Sequence, residues 1–317
     1  MENYRFPKLI EIKQAYQRIM AYVHRTPIMT CSTIDKMAGC EIFFKCENLQ
    51  KVGSFKARGA TNALLKLSPS QREKGVATHS SGNHAAALAL AANLCGNKAY
   101  IVMPSNSSQI KKDAVKGYGG EIIECEPGQK FREAKLEEVL RNTGASYIPP
   151  YDHMDVIEGQ ATCALEMWEE KIPFDALITP VGGGGLFAGT ILTTHYKSKK
   201  TPVYAGEPKG ADDAYQSFKS KKYIPLKNPK TIADGLLTSL GKRNFEIILA
   251  LGEDIFTVTD KEIVEAMQLI FERMKLVVEP SSAVALAAIL ANKKVFAGKK
   301  VGLILSGGNI DWEHLPF

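Results

Sequence analysis

Lys56 is the residue of this chain whose type and position most clearly offer chemistry. It lies in the segment Gly-Ser-Phe-Lys-Ala-Arg-Gly (residues 53–59), between a predicted strand over residues 41–45 and a predicted helix over residues 54–67. The positive end of a helix dipole disfavours an ammonium ion, and burial beside Phe55 would lower the lysine pKa further. A neutral amine attacks carbonyl carbons, as Schiff-base lysines do. The alternative at this point is a solvated lysine at a helix start.

A run of four glycines at residues 182–185 is the second chemical signal. Apolar residues 176–181 precede it and apolar residues 187–196 follow it, which predicts a strand, a loop and a helix. Glycines let backbone amides approach a phosphate, and the helix N-terminus directs positive charge toward it. The spacing matches neither the dinucleotide-binding fingerprint nor a P-loop. A tight turn needs only one or two glycines, so the run favours binding of a small phosphate monoester.

Polar residues follow two other predicted strands. Residues 80–84 (Ser-Ser-Gly-Asn-His) lie between a strand over residues 76–78 and an alanine-rich helix over residues 85–94. Amides at that helix start can bind an anion such as an amino-acid carboxylate, although the serine and the asparagine also suit helix capping. Residues 306–309 (Ser-Gly-Gly-Asn) follow the apolar residues 301–305. Open parallel sheets bind ligands at the carboxyl ends of their strands.

A Schiff-base lysine, a phosphate loop and polar groups at strand ends together indicate pyridoxal 5'-phosphate. The motifs Ser-Phe-Lys-Ala-Arg-Gly, Ser-Ser-Gly-Asn-His, Gly-Gly-Gly-Gly-Leu and Ser-Gly-Gly-Asn also occur in a characteristic order. As a set they resemble the tryptophan-synthase-like (fold type II) pyridoxal phosphate enzymes, specifically the branch of serine racemases and serine/threonine dehydratases. The resemblance extends from about Ile10 to Asn309.

The elements that must position these motifs alternate between strand and helix over nearly the whole chain. This alternation predicts an α/β fold with open twisted parallel sheets. The resemblance implies two domains: a large cofactor-binding domain of residues 1–70 and 153–317, and a small domain of residues 71–152 inserted into it. The cofactor would lie in the cleft between them. Movement of the small domain would close the site over the substrate.

Composition is compatible with this architecture and argues against other classes. The 317 residues are 45% apolar, enough for one large core or two moderate ones. Six scattered cysteines without a Cys-x-x-Cys pair indicate neither a disulfide framework nor a zinc site, and they predict a cytoplasmic protein. No apolar run reaches membrane length, and residues 1–21 carry charges throughout, unlike a signal peptide. The net charge of +6 comes largely from solvated lysine clusters, which argues against nucleic-acid binding.

The resemblance implies roles residue by residue. Lys56 would hold the cofactor as an imine and act as a base at the substrate Cα, and Ser81 would be the second acid/base on the opposite face. Asn83 would bind the ring hydroxyl oxygen, and Ser306 the pyridine nitrogen. Serine would then be racemised, with some elimination to pyruvate and ammonia. The phosphate positions are Gly182, Gly183, Gly184, Gly185 and Leu186, and the substrate positions are Ser80, Ser81, Gly82, Asn83 and His84. Glu279 either matches a family position near the ring or simply starts a helix as Glu-Pro.

A metal site is implied after the predicted strand that ends at residue 206. The segment Glu-Pro-Lys-Gly-Ala-Asp-Asp (residues 207–213) carries carboxylates that can converge on a hard cation, or else it forms a solvated acidic loop. The resemblance implies that Glu207, the Ala211 carbonyl and Asp213 bind Mg²⁺, or Ca²⁺ or Mn²⁺, as a structural and activating ion.

Some positions depart from the family pattern. Ser32 and Lys51 match the nucleotide site at the dimer interface of some serine racemases. Three polar positions of that site are replaced, so activation by ATP stays open while a homodimer is still implied. Tyr151 stands where the mammalian enzymes have asparagine near the substrate. The replaced positions are Cys31, Val52 and Ala86.

Three functions therefore remain. The first is a serine racemase with dehydratase activity. The second is a dedicated dehydratase of L-serine, L-threonine or 3-hydroxyaspartate, which would share every cofactor residue. The third is a non-catalytic cofactor carrier or amino-acid sensor, against which the intact Lys56, Ser81 and Ser306 argue.

Overall fold

The computed structural model describes residues 4–311 and 315. Residues 1–3, 312–314 and 316–317, which the predicted large domain includes, lie outside the described residues. The strands are β1 (Ile28–Met29), β2 (Glu41–Cys46), β3 (Val76–His79), β4 (Ala99–Pro104), β5 (Glu121–Cys125), β6 (Ser146–Tyr147), β7 (Ala176–Pro180), β8 (Val203–Pro208), β9 (Asp254–Val258) and β10 (Lys300–Leu305). The α-helices are α1 (Leu9–Ile19), α2 (Ser32–Ala38), α3 (Lys56–Lys66), α4 (Pro69–Glu73), α5 (Asn83–Leu94), α6 (Gln109–Gly117), α7 (Gln129–Thr143), α8 (Met154–Glu169), α9 (Gly185–Lys197), α10 (Asp213–Ser220), α11 (Lys242–Leu251), α12 (Asp260–Leu269), α13 (Pro280–Ala291) and α14 (Lys293–Phe296).

The larger sheet has six strands in the order β1-β2-β10-β7-β8-β9. All neighbours are parallel except β1, which pairs antiparallel with β2 at the edge. The central strands β7 and β8 are buried along their whole length, because helices cover both faces of the sheet. Parallel pairing brings the carboxyl ends of β2, β10, β7 and β8 to one edge.

The smaller sheet has four parallel strands in the order β5-β4-β3-β6. Its strands all come from residues 76–147, the part of the chain in which the sequence predicts the small domain. The strand β3 lies inside the sheet, so residues 80–84 leave from the middle of its carboxyl edge. The domain boundaries themselves stay a prediction.

Close helix packing fixes the position of α3, which begins at Lys56. The helix contacts both α5 and α8, and α8 in turn packs on α9. The alanine-rich helix α5 is buried over most of its length, since small side chains let its neighbours approach. A Cβ atom at Gly159 of α8 would lie only 2.6 Å from the Arg58 carbonyl O of α3. Glycine at that position is therefore what allows the two helices to touch.

The predicted strands and helices around the motifs agree with the structure to within a few residues. One difference is the start of α3, at Lys56 rather than at Ser54. Val52 and Gly53 adopt left-handed conformations, with φ of 55° and 65°, and Ser54 forms a β-bridge with Gly307. This tertiary bridge holds Ser54 extended and delays the helix. Among the described residues, no helix combines the length and apolar character needed to cross a membrane.

Candidate active site

Lys56 lies half-buried at the start of α3. Its Nζ donates a hydrogen bond to the Pro150 carbonyl O at 2.6 Å. The same nitrogen is 5.2 Å from the centre of the Phe55 ring and 5.9 Å from that of Tyr151. Burial lowers the pKa of Lys56 to about 8, an effect that Glu279 partly opposes. The neutral amine is therefore far more accessible at mildly basic pH than it is for a solvated lysine.

The segment that leads to Lys56 is tied to the end of β10. The Ser306 carbonyl O accepts the Phe55 amide at 3.1 Å and the Ser54 hydroxyl at 3.4 Å. Ser306 is itself buried directly after the last residue of the strand. The lysine and the serine thus lie at the same edge of the six-stranded sheet.

Residues 80–84 connect β3 with α5 at the carboxyl edge of the four-stranded sheet. Ser81 is half-buried, and Asn83 is the first residue of α5. Within the part of the chain that the structure describes, the amides of Ser81, Asn83 and His84 have no hydrogen-bond acceptor. Unpaired amides at the N-terminus of a helix favour an anion. This geometry suits the substrate carboxylate site that the sequence predicts.

The Asn83 side chain links the edges of the two sheets. Its Nδ2 lies 3.0 Å from both carboxylate oxygens of Glu279, and its Oδ1 accepts from Asn309 Nδ2 at 2.8 Å. Glu279 occupies the N-cap position of α13, yet its side chain makes no capping hydrogen bond there. Burial raises the Glu279 pKa to about 7, although the Asn83 amide acts in the opposite direction. The Glu279 carboxylate therefore faces the candidate site rather than capping α13.

The glycine loop lies between β7 and α9 and is buried. A Cβ atom at Gly183 would lie 2.3 Å from Tyr151 Cγ, and one at Gly184 would lie 2.7 Å from Leu240 Cδ1. Gly184 also has φ of 88°, which strongly favours glycine. Among the described residues, no acceptor pairs with the amides of residues 182–186. Buried amides are nearly always paired, so this unpaired set is what an anion-binding loop requires.

A network of four buried charges adjoins the lysine segment and joins α3 to β2 and α8. Arg58, two residues after Lys56, pairs with Glu47 at 2.7 Å and with Glu166 at 2.7 Å. Lys45 pairs with Glu166 at 2.6 Å, and all four side chains are at most 1% exposed. Burial alone would lower the pKa of Arg58, but attraction from the two carboxylates raises it instead. The charges balance, and the network fixes the orientation in which α3 presents its first residue.

Comparison with known proteins agrees with this arrangement. The sequence profile of the family described as pyridoxal-phosphate dependent enzyme matches residues 19–307. This chain belongs to that family. The β-hydroxyaspartate dehydratase of Paracoccus denitrificans is 47% identical to this pyridoxal-phosphate dependent enzyme over 311 residues, which cover 98% of this chain and 99% of the relative. The serine racemase of Dictyostelium discoideum is 47% identical over 310 residues, with 96% and 95% covered. The solved structure of maize serine racemase superposes with a TM-score of 0.95 at 44% identity, covering 98% of this chain and 95% of the maize chain.

The family membership confirms the fold class that the sequence predicts. The residues present also fit the family's cofactor. Its phosphate requires several N–H donors, and residues 182–186 present buried amides without acceptors. The carbonyl group of the cofactor requires a neutral amine, and the lowered pKa of Lys56 makes this form accessible. Asn83 and Ser306, predicted to contact the ring, lie at the carboxyl edges of the two sheets. The individual roles of these residues stay predictions.

The predicted metal ligands form a separate cluster at the end of β8. Both carboxylate oxygens of Glu207 accept amides of α10, from Ala214 at 3.0 Å and Tyr215 at 2.7 Å. Asp213 Oδ2 accepts the Leu240 amide at 2.7 Å, whereas its buried Oδ1 has no partner among the described residues. Burial raises the pKa of Glu207, and it raises that of Asp213 to about 6.

A divalent cation would compensate these two buried carboxylates, and hard cations prefer such oxygen ligands. Ala211, whose carbonyl is the third predicted ligand, is buried in the turn between β8 and α10. Within the described residues, no group of three or more His, Cys, Asp or Glu side chains forms a metal cluster. A cation here would therefore need carbonyl or water oxygens beside Glu207 and Asp213.

Sequence reasoning gave no role to Arg132, which lies in the first turn of α7. Its buried Nε has no hydrogen-bond partner among the described residues. Burial lowers the pKa of His79, and the nearby Arg132 charge lowers it further. His79 directly precedes residues 80–84, and α7 begins after β5 at the same carboxyl edge of the sheet. A helix that follows a parallel strand begins at this edge, which is the signal that identifies such a residue.

Proposed function

We propose that this enzyme is a serine racemase, which interconverts L-serine and D-serine and eliminates water from serine as a side reaction. The proposal rests on two acid/base groups that come from the edges of two different sheets. Lys56 adjoins the end of β10, and Ser81 follows β3. Racemisation removes a proton from one face of Cα and returns a proton to the other, so two such groups are needed. The similarity to the serine racemases of Dictyostelium and maize supports this assignment.

In this proposal the cofactor is held at three places besides Lys56. The amides of residues 182–186 bind its phosphate, Asn83 its ring oxygen and Ser306 its ring nitrogen. When bound, the cofactor withdraws electrons from the substrate Cα and so makes the Cα proton more acidic. A serine hydroxyl does not have to protonate the ring nitrogen, so Ser306 leaves this withdrawal weaker than a carboxylate would.

Lys56 would hold the cofactor through its Nζ, and the Nζ would be available as a base when the substrate is bound. The free Nζ then accepts the Cα proton of L-serine, and the Ser81 hydroxyl delivers a proton to the other face. His84 does not replace Ser81, since burial lowers its pKa to about 3 and its Nε2 bonds the Ile148 carbonyl O at 2.9 Å. Elimination uses only the lysine side: the β-hydroxyl leaves as water, and hydrolysis then gives pyruvate and ammonia.

The second candidate is a 3-hydroxyaspartate dehydratase, and Arg132 favours it. This substrate carries a second carboxylate, and an arginine with a free N–H is a natural partner for a carboxylate. The charge of Arg132 lowers the pKa of His79, and α7 begins at the edge of the sheet that holds residues 80–84. The Paracoccus dehydratase is as similar in sequence as the Dictyostelium racemase.

The test compares L-serine with 3-hydroxyaspartate as substrates of the purified enzyme. D-serine, pyruvate and oxaloacetate are measured separately, and kcat/KM is determined for each product. A racemase produces D-serine from L-serine at a rate comparable with pyruvate. Oxaloacetate formation that far exceeds both, and that falls on Arg132→Ala while L-serine turnover does not, would establish the dehydratase instead.

The predictions for the metal ion, the subunit assembly and the domains also belong to this proposal. A divalent cation, Mg²⁺ or else Ca²⁺ or Mn²⁺, binds Glu207, the Ala211 carbonyl and Asp213 and stabilises the turn between β8 and α10. The enzyme is a cytoplasmic homodimer of two-domain subunits, with the small domain formed by residues 71–152.

A further inference from the structure

Asn244 is a fully buried polar residue in the first turn of α11, and the roles described so far do not use it. Its Nδ2 donates to the Gly183 carbonyl O at 2.6 Å and lies 3.4 Å from the Tyr151 carbonyl O. The Gly241 amide donates to the same Gly183 oxygen at 3.0 Å. A side chain from α11 and a backbone amide just before it thus hold one carbonyl of the glycine loop.

These hydrogen bonds fix the peptide plane between Gly183 and Gly184. In a trans peptide the C=O and the N–H point in opposite directions, and the described chain has no cis peptide. Holding the Gly183 oxygen toward Asn244 therefore turns the Gly184 N–H away from α11. Glycines rotate freely about φ and ψ, so four in succession do not keep this orientation by themselves.

Packing alone does not explain an asparagine at this position. The Asn244 Oδ1 is buried and has no hydrogen-bond partner among the described residues. An unpaired buried acceptor destabilises a fold, whereas leucine has nearly the same shape and would leave no oxygen unpaired. What asparagine adds over leucine is its N–H donor to Gly183.

We propose that Asn244 is a positioning residue that orients the peptide between Gly183 and Gly184, so that the Gly184 N–H faces the phosphate of the cofactor. The inference rests on the family's cofactor and on the role of residues 182–186 in binding its phosphate. It does not depend on whether serine or 3-hydroxyaspartate is the substrate. It concerns the affinity for the phosphate group and leaves the chemistry of Lys56 unchanged.

The experiment measures binding to the cofactor-free protein by calorimetry, with inorganic phosphate, pyridoxal phosphate and pyridoxal as ligands. In Asn244→Leu the Kd for the two phosphate compounds is expected to rise about tenfold, which corresponds to about 1.4 kcal/mol. The Kd for pyridoxal, which has no phosphate, is expected to stay the same. The unfolding temperature of the variant is expected to be equal to or above that of the wild type.

Asn97→Leu is the matched control. Asn97 also donates to a carbonyl, that of Arg72 at 3.0 Å, and it also has a buried Oδ1 without a partner among the described residues. It lies before β4, away from the glycine loop, and its replacement is expected to change none of the three Kd values. Asn244→Thr keeps a hydroxyl donor and is expected to bind phosphate with an affinity between those of the wild type and Asn244→Leu.

Three results would overturn the proposal: an unchanged phosphate affinity in Asn244→Leu, an equal loss of affinity for pyridoxal, or a marked loss of stability with no selective effect. If Asn244→Leu does not fold, Asn244→Thr decides, because the proposal requires a loss confined to the phosphate compounds. If the wild-type protein binds pyridoxal phosphate no better than pyridoxal, the glycine loop does not bind phosphate. The serine racemase proposal would still be tested by its own assay.

Discussion

The reactivity of Lys56 depends on its surroundings more than on its residue type. Its Nζ lies between two aromatic rings and bonds a backbone carbonyl, and no carboxylate forms an ion pair with it among the described residues. Burial therefore lowers its pKa to about 8. The fully buried Lys45 contacts Glu166 at 2.6 Å and belongs to a balanced ion network instead. The two lysines thus differ in their electrostatic environment, because Lys45 has a partner carboxylate and Lys56 does not.

The first prediction concerns covalent attachment of the cofactor to Lys56. Wild-type protein incubated with pyridoxal phosphate should develop a near-visible absorbance band, and borohydride should fix a pyridoxyl group on Lys56. The initial rate of attachment to cofactor-free protein should rise as pH increases through about 8 and then level off, because the neutral amine is the nucleophile.

Lys56→Ala should lose the band and both activities, while Lys51→Ala, which removes a lysine five residues away, should keep the band. A protein that stays colourless after incubation with the cofactor would contradict the assignment of Lys56.

The second prediction separates the two acid/base groups. Ser81→Ala should keep the absorbance band and L-serine elimination, since Lys56 removes the L-serine proton. Formation of D-serine from L-serine, and elimination from D-serine, should both fall by about a hundredfold to ten-thousandfold. The measurement follows D-serine and pyruvate from each enantiomer. D-serine formation at the wild-type rate would mean that Ser81 only caps α5.

Single elements bring these residues into place, and α3 is the clearest case. Its first turn is held by side chains from other elements: Arg58 pairs with Glu47 and Glu166, and the Gly59 amide donates to Gln160 Oε1 at 3.2 Å. A helix in this environment cannot shift without separating buried charges. The position of the Lys56 amine is thus set by α8 and the turn after β2 as much as by α3 itself.

The third prediction tests this network. Glu166→Gln leaves Arg58 and Lys45 with one carboxylate for two buried cations, so the free energy of unfolding should fall by about 3–5 kcal/mol. Chemical denaturation of the cofactor-free protein measures the change. Glu169→Gln, on the same helix, breaks only the exposed pair with Arg25 and should cost about 1 kcal/mol or less. Equal effects of the two substitutions would show that the buried network contributes nothing beyond a surface pair.

At the scale of the whole molecule, the candidate site lies where the two sheets meet. Asn83, which begins α5 beside the four-stranded sheet, bonds Glu279 at the start of α13. A second link joins Lys111 of α6 to Asp234 at 2.8 Å, and both of its side chains are largely exposed. An exposed ion pair contributes little to stability, so this second link costs little to break. This organisation suits a cleft that closes over a small substrate.

The fourth prediction concerns the cation and the stability of the whole chain. A cation that binds only the folded state stabilises it by about 2.7 kcal/mol at a hundredfold excess over its Kd. Chelator should therefore lower the unfolding temperature, and Mg²⁺ or Ca²⁺ should restore it. Asp213→Asn keeps the acceptor for the Leu240 amide but should lose the response to cations. Asp212→Asn, which changes the neighbouring carboxylate, should still respond like the wild type. Identical responses of the Asp213 variant and the wild type would show that no cation binds at this site.

The sequence by itself determined the chemistry that this protein can carry and the order of its elements. Lys56, the four glycines and the polar groups after β3 and β10 lie in short local motifs, and strand and helix periodicities are local as well. Such features are readable without a structure because each depends on neighbours within a few residues. For the same reason the sequence identified the pyridoxal-phosphate dependent family, which the family comparison confirmed.

Only the tertiary structure decided which distant residues complete those motifs. The partners of Arg58 and Asn244 lie up to about a hundred residues away in the chain, and the charge of Arg132 acts on His79 across more than fifty. In the sequence, Glu279 suits a helix start and the candidate site equally well. In the structure its carboxylate accepts a hydrogen bond from Asn83, which places it at the site. Burial and long-range pairing set the pKa values and orientations of these groups. Neither burial nor long-range pairing can be read from local sequence, because both arise when separate elements pack together.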